Sequence, residues 1–391
     1  MIRHQVRLAS AIVGPPLPPG DAPHADRVFR YGIEHESALL RADGRFVDPT
    51  NTSFAELQTV VDALPEDPSD LTELRLGDQG IKRKRWYVEG YERFDERGRL
   101  VRCDPKGIEI RTRIHRSVED TVAALRADQA ALAAAARRHD LHPVAIGFNP
   151  VRSPYVVDPP LNAWERRHRL GSPEERTAHL HMSTFGPDLS LSWNAPDPAE
   201  LVDVGRKLTA YSPYLVPLSF SSPFEAGAPW GGLSARTRLR TGPRPAVLVF
   251  LPTGAAQVRS DPSLTQPARL APEVGRVEFK AFDPCPDPSW YGDLLALLTG
   301  LVLDRTLPGR RTTPDAALHR RSARAGLDDP TIRAGTCRVL DAAIAALAGR
   351  PGHLARLEAL YRRVERRECP AATMIERYRG GETIADVLRA P

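Results

Sequence analysis

The stretch Tyr31-Gly-Ile-Glu-His-Glu-Ser-Ala-Leu-Leu40 constrains the fold more than any other part of the chain. Read as a β-strand, its period of two sends Glu34 and Glu36 to one face and Ile33, His35 and Ser37 to the other. Two acids on one face repel unless something positive stands between them. A bound divalent cation, a neighbouring Arg or Lys, or an outward, solvated position each answers that repulsion. Hard cations such as Mg²⁺ take oxygen ligands of this kind.

With 391 residues and 41% hydrophobic content the chain can bury a large core, as one big α/β domain or two ordinary ones. The net charge of +5 and pI near 9.1 invite nucleic acid, but 54 basic residues stand against 49 acidic ones and are spread along the chain. An anionic small substrate accounts for the same excess, so the expected partners are small molecules and not nucleic acid. The longest apolar run, Leu294 to Leu303, is broken by Thr299 and Gly300 and is too short to span a bilayer, so no membrane association is expected. Cys103, Cys285, Cys337 and Cys369 lie far apart without metal-type spacing, which fits reduced thiols in the cytoplasm. The start, with Gly14-Pro-Pro-Leu-Pro-Pro19, reads as an extended arm over residues 1–27 rather than a signal peptide.

Taken in order, Arg27 to Leu40 is a strand, and Ala42-Asp43-Gly44 turns it back through Arg45-Phe46-Val47. Thr52 to Leu64 has helical apolar spacing, and Leu71 to Leu76 fits either state. The run Lys82-Arg-Lys-Arg85 reads as a solvated edge strand or a phosphate or RNA contact. Trp86 to Phe94 and Arg99 to Arg113 form a long hairpin, which makes Asp104 and Glu109 loop and strand carboxylates. Ser117 caps the alanine-rich helix Val122 to Arg138, and His142 to Phe148 returns as a strand.

Thr177 to Phe185 alternates, so a strand would put His179 and His181 on one face; hydrogen-bonded structure and a polar site both fit such a pair. Asp197 caps a helix to about Tyr211. Pro229 to Pro245 has no convincing element, and its Arg236, Arg238 and Arg240 are either solvated or placed for phosphate oxygens. Ala246 to Leu251 is a buried strand, and Gly275 to Asp283 is another on which Glu278 and Lys280 share a face. A helix spans Trp290 to Leu303, and 314–391 is helical throughout, with a homo-oligomer contact left open at Arg362, Arg363, Arg366 and Arg367.

Five segments in this order resemble the carboxylate-amine ligase branch of the glutamate-cysteine ligase family. They are Gly32-Ile-Glu-His-Glu-Ser-Ala-Leu-Leu40, Asp104-Pro-Lys-Gly-Ile-Glu-Ile110, His179-Leu-His-Met182, Ser219-Phe-Ser-Ser-Pro-Phe224 with Ser234-Ala-Arg236, and Val277-Glu-Phe-Lys-Ala-Phe-Asp283. The resemblance spans roughly residues 28–306. It implies an α+β fold of the glutamine synthetase type, a curved, mainly antiparallel sheet with helices packed on one side, forming a catalytic domain over 28–306. Residues 307–391 would be a helical segment packed upon it.

The same resemblance implies an ATP-dependent ligase that makes an acyl phosphate and then an amide from an amino acid or peptide, glutamate and cysteine in the name-giving case. A phosphotransferase of the same fold and an inactive binding homologue are the alternatives. Mg²⁺, or Mn²⁺ in its place, would be held by Glu34, Glu36, Asp104, Glu109, His181 and Glu278. Glu34, Arg236 and Lys280 would be catalytic, with Arg236, Lys280 and His181 meeting the nucleotide. Lys280 stands where the family more often has Arg, and Asp104 where Glu is common; neither change removes a charge, but Lys cannot make a bidentate clamp.

Overall fold

The computed structural model describes residues 27–70, 84–152, 155–194 and 197–389. All but the last residue of the expected arm, the ambiguous segment Leu71 to Leu76, and Lys82 and Arg83 of the basic run lie outside the described residues.

The first strand, β1 (Phe29–Arg41), is the longest and lies in the middle of the molecule's sheet. Its burial alternates along the acidic stretch, with Tyr31, Ile33 and His35 buried and Gly32, Glu34 and Glu36 partly open, as a strand covered on one face requires. β2 (Trp86–Phe94) and β3 (Leu100–Arg111) form the expected hairpin, and β4 (Leu141–Val144) is a short partner of β1. β5 (Pro187–Trp193) pairs along the other edge of β1. A two-residue ribbon, β6 (Phe224–Glu225) with β7 (Ala228–Pro229), stands apart. β8 (Val247–Leu251), β9 (Thr265–Pro267) and β10 (Val277–Phe279) complete an eight-stranded sheet, seven strands in the order β2-β3-β1-β5-β10-β8-β9 and β4 paired with β1 off that path. Its pairings are antiparallel except β8 with β9. This is the curved antiparallel sheet of the glutamine synthetase type.

The apolar face of the sheet, Ile33, Ile108, Ile110, Leu189, Leu191, Val277 and Phe279, shares one core with the helices that cover it. Val118–Arg137 starts at Ser117, whose hydroxyl accepts from the Asp120 amide. Ser289–Leu303 is apolar nearly all round and buried from Tyr291 to Leu303, because it is sandwiched between the sheet and the helices Pro330–Ala346 and Pro351–Arg366. Gly300 makes that crossing close: a Cβ there would meet the Ala343 backbone at 2.9 Å. Leu340, Leu357 and Leu360 of the C-terminal helices belong to the same core. Among the described residues no helix is long and apolar enough to cross a membrane.

Two expectations need correction. Thr177 to Phe185 is not a strand: Ser172 caps a turn of helix at Pro173–Arg176, and a second follows at Ala178–His181. Ser-Pro-Glu-Glu is a helix-start sequence, and the alternation downstream of it spans too few residues to outweigh it. His179 and His181 therefore do not share a strand face. The segment Pro229 to Pro245 does hold an element, the helix Ala235–Arg240, begun by the Ser234 hydroxyl accepting from the Thr237 amide.

Candidate active site

The strand registers assemble the acidic face. Glu36 lies opposite Glu109 and Glu34 opposite Arg111 across β1 and β3, while β5 sets Asp188 opposite Glu34. β10 places Glu278 opposite Ser190, and β2 brings Tyr87 to Glu109 and Glu89 to Gly107. Opposed residues of an antiparallel pair share a face, so these acids all stand on the side away from the helices. Within that face the carboxylates sort into two groups.

The first is Glu34, Asp188 and Glu278, whose nearest oxygens lie within 4.8 Å of one another. Cations surround it. Lys280 Nζ is 3.3 Å from Glu278 and pairs with Asp188, and Arg276 reaches Glu34 at 3.5 Å and Glu278 at 3.8 Å. Arg111 Nε stands 3.7 Å from Glu34. Burial still pushes the Glu278 carboxyl above its ordinary value, with Asp188 and Glu34 adding to the push and Lys280 and Arg276 opposing it. A cavity of about 180 Å³ opens beside the group, lined among others by Arg30, Glu34, Arg111, Ser190 and Arg276.

The second is Glu36, Glu89 and His181, also within 4.8 Å of one another. Here a lysine sits inside the group. Lys106 Nζ donates to Glu36 Oε1 at 2.8 Å and lies 3.0 Å from His181 Nδ1, 3.1 Å from the His181 carbonyl and 2.8 Å from the Thr184 carbonyl. The other ring nitrogen, His181 Nε2, is 2.6 Å from Glu89 Oε1. Burial raises the Glu36 carboxyl, but Lys106 and His181 reverse the push and hold it below the ordinary value. Burial also lowers the His181 pKa, aided by Lys106 and opposed by Glu36 and Glu89.

Gly186 joins the two regions. Its amide donates to Glu36 Oε2 at 2.8 Å, and a Cβ on it would come within 2.1 Å of the Arg236 guanidinium. Arg236, 2% exposed, donates from one terminal nitrogen to the Lys280 carbonyl at 2.9 Å, while Nε and Nη1 have no hydrogen-bond partner among the described residues. Its helix is pinned by Asp283, which accepts from the Ser221 amide and from the hydroxyls of Ser222 at 2.6 Å and Ser234 at 3.0 Å. The serine-rich segment, the Ser234 cap and the end of the Val277 to Asp283 run are therefore one hydrogen-bonded knot. Arg240, one turn on, has its pKa depressed by burial and then by Arg236 and Arg244. So much unanswered positive charge in a buried place suits an anion.

Of the residues singled out in the sequence, Glu34 and Glu278 fall in the first group and Glu36 and His181 in the second, with Lys280 and Arg236 beside them. Glu109 faces Glu36 but pairs with Arg111 at 3.7 Å. Asp104 stands apart from both groups: Arg102 Nε holds it at 2.6 Å and the Tyr155 hydroxyl donates to it at 2.7 Å. It lines a separate cavity of about 910 Å³ with Phe54, Val101, Asn149 and Met182. The physical reason is position along β3, five residues from Glu109 and beyond the irregularity opposite Glu89 and Gly90. Sequence reasoning missed Glu89, Asp188, Lys106, Arg111 and Arg276. Only the pairing of distant strands reveals the first two, although Asp188 and Glu89 each sit in an alternating run.

A half-closed antiparallel sheet with helices behind it and carboxylates and cations in front is the architecture of the glutamine synthetase-like ligases. The chain belongs to glutamate-cysteine ligase family 2, whose profile matches residues 30–390. Among solved structures it is similar to the glutamate-cysteine ligase of Francisella tularensis in complex with AMP, at 12% identity over 92% of this chain and 87% of the other, TM-score 0.53. It is also similar to a bifunctional glutathione synthetase from Pasteurella multocida, at 11% identity and TM-score 0.55, covering 92% of this chain and 51% of that one. Comparison with curated proteins gives no match.

Proposed function

We propose that this enzyme activates the carboxylate of an amino acid or peptide with ATP and joins it to an amine, glutamate and cysteine being the first pair to try. The observation that carries the reading is the convergence of Glu34, Asp188 and Glu278 within 4.8 Å on the open face, beside a buried Arg236 with nitrogens unsatisfied. An all-oxygen donor set suits Mg²⁺, with Mn²⁺ as its substitute. Such an ion, when bound, neutralises triphosphate charge. Arg236 would present its free N–H groups to phosphoryl oxygens as a planar fork, and Lys280 would act as a point charge able to turn from the carboxylates to a phosphate. The Asp283 knot fixes the angle at which Arg236 is presented, and Gly186 leaves room for it.

In this reading residues 28–306 are the catalytic unit and 307–391 a helical segment completing its core. A cytoplasmic setting agrees with Cys103, Cys285, Cys337 and Cys369 being free thiols. The test follows ADP release over a panel of amino acids and identifies the product by mass spectrometry, for wild type, Glu34→Gln and Glu278→Gln. An ATP-dependent amide made by wild type and lost in both variants is expected. Normal turnover in both variants refutes the site, and a stable phosphorylated product in place of an amide refutes the ligase step in favour of phosphotransfer.

A further inference from the structure

The two triads on the acidic face offer the same number of donor residues, yet they are not equivalent toward an ion. In the group Glu36, Glu89 and His181 both oxygens of Glu36, both ring nitrogens of His181 and Oε1 of Glu89 are engaged by the protein itself. Glu36 Oε1 accepts from Lys106 and Oε2 from the Gly186 amide. The His181 ring has Nδ1 3.0 Å from the Lys106 ammonium, which can only donate to it, and Nε2 2.6 Å from Glu89 Oε1. The lysine is anchored beyond the acids as well, by the carbonyls of Thr184 at 2.8 Å and His181 at 3.1 Å. Its side chain is 1% exposed and its ammonium stands 5.3 Å from the Phe185 ring centre. Lys280 in the other triad differs on these counts: its side chain is 15% exposed, and its ammonium touches Asp188 and Glu278 with no carbonyl partner among the described residues.

We infer that Lys106 is a built-in substitute for one metal ion, so that Glu36, Glu89 and His181 form a tethered-cation centre while Glu34, Asp188 and Glu278 remain the exchangeable one. The inference rests on reading the acidic face as the nucleotide site. An ammonium surrounded by a carboxylate, an imidazole nitrogen and two carbonyls supplies fixed positive charge that no chelator removes. A divalent ion would have to strip those contacts and expel the ammonium, leaving it buried without partners. Lys106 reaches this face only because β3 is irregular there: Glu89 lies opposite Gly107 but Gly90 opposite Pro105, so residue 106 is the extra one and is turned from the face that simple alternation would give it.

The experiment counts Mn²⁺ bound to the full chain by electron paramagnetic resonance and looks for nitrogen coupling from a histidine ring. His181 belongs to the second triad and the first is all carboxylate, which makes the coupling a direct marker of the second one. Wild type should show no such coupling. Lys106→Met, with Lys106→Gln as a second variant of different polarity, should bind one more ion than wild type and show the coupling, and adding Glu36→Gln should remove the extra ion. Histidine coupling in wild type overturns the inference, and so does an unchanged ion count in both lysine variants. The wild-type spectrum decides even if neither replacement folds. A wild type that binds no Mn²⁺ beside a Lys106→Met that binds one supports the tethered cation and refutes the exchangeable site, so the two readings fail separately.

Discussion

The two triads lie on neighbouring parts of one sheet face, and one carboxyl of each ends on the opposite side of its ordinary value. Glu278 is pushed above its ordinary value because the desolvation of a carboxylate beside Asp188 and Glu34 is only partly offset by Lys280 and Arg276. Glu36, 16% exposed on its side chain against 3% for Glu278, ends below its ordinary value, because Lys106 and His181 overcome its desolvation. A cluster whose cation is also held by backbone carbonyls is a structural joint, and one whose carboxylate stays above its ordinary value beside partly open cations is poised for a ligand that the chain does not itself provide. The contrast is therefore between charge compensated for good and charge held in reserve.

The largest effect that tests the contrast is on turnover. Glu278→Gln should lower kcat on the order of 10³-fold, about 4 kcal/mol of lost transition-state stabilisation, as read by ADP release, with the fold intact. Its effect on stability should have the opposite sense. A carboxyl raised in the folded state keeps its proton to higher pH than in the unfolded chain, so the metal-free protein loses stability as pH rises through the folded value. Glu278→Gln removes that loss: the apo variant should melt higher than apo wild type at pH 8 and gain less from added Mg²⁺. A variant that melts lower at every pH removes Glu278 from the reserve category.

Next in size is Glu36→Gln, which should destabilise by about 3–5 kcal/mol in urea unfolding, because it leaves the Lys106 ammonium buried beside a neutral partner. Replacing both, as Glu36→Gln with Lys106→Met, should recover part of that loss. The pH signs agree. Glu36, lowered in the folded state, contributes stability above the ordinary glutamate value of 4.5 that disappears on acidification. His35, on the buried side of the same strand, is lowered from 6.5 to about 4, first by burial. A depressed histidine stabilises fully above 6.5 and loses that contribution as pH falls toward 4, a loss of roughly 3 kcal/mol at most. Unfolding should therefore ease between pH 6.5 and 4, and His35→Gln should flatten that part of the profile.

Much of this was legible in β1, because a strand with one covered face writes its burial into a period of two. Glu34 and Glu36 could be read as sharing a face for that reason, while Glu278 joined them only through the resemblance. Glu89 and Asp188 could not, since each acquires meaning only from a strand or helix far off in sequence: Glu89 from His181, Asp188 from Glu34. Lys106 was hidden by the irregularity that turns it against the alternation. Arg236 was marked as a phosphate ligand, but its helix went unseen because glycine and proline surround a start signal only one residue long, Ser234. The histidine segment failed for the converse reason, a short alternation that a one-turn helix also satisfies.

The smallest expected effect tests the border of the two triads. Asp104 was placed by resemblance with the metal ligands, yet its oxygens are taken by Arg102 at 2.6 Å and the Tyr155 hydroxyl at 2.7 Å, and Arg93 is 4.0 Å away. Arg102 is 45% exposed on its side chain, so the pair is a screened one and contributes about 1 kcal/mol or less. Asp104→Asn should leave the Mn²⁺ count and affinity unchanged and alter stability by no more than that. Burial and Asp104 together raise the Tyr155 pKa, so the same variant should let the phenol ionise at lower pH, which an absorbance titration reads. That local shift shows that the substitution has acted where the structure says it does. A tenfold loss of Mn²⁺ affinity alongside it would mean that the acidic face extends to Asp104 and is not divided as drawn.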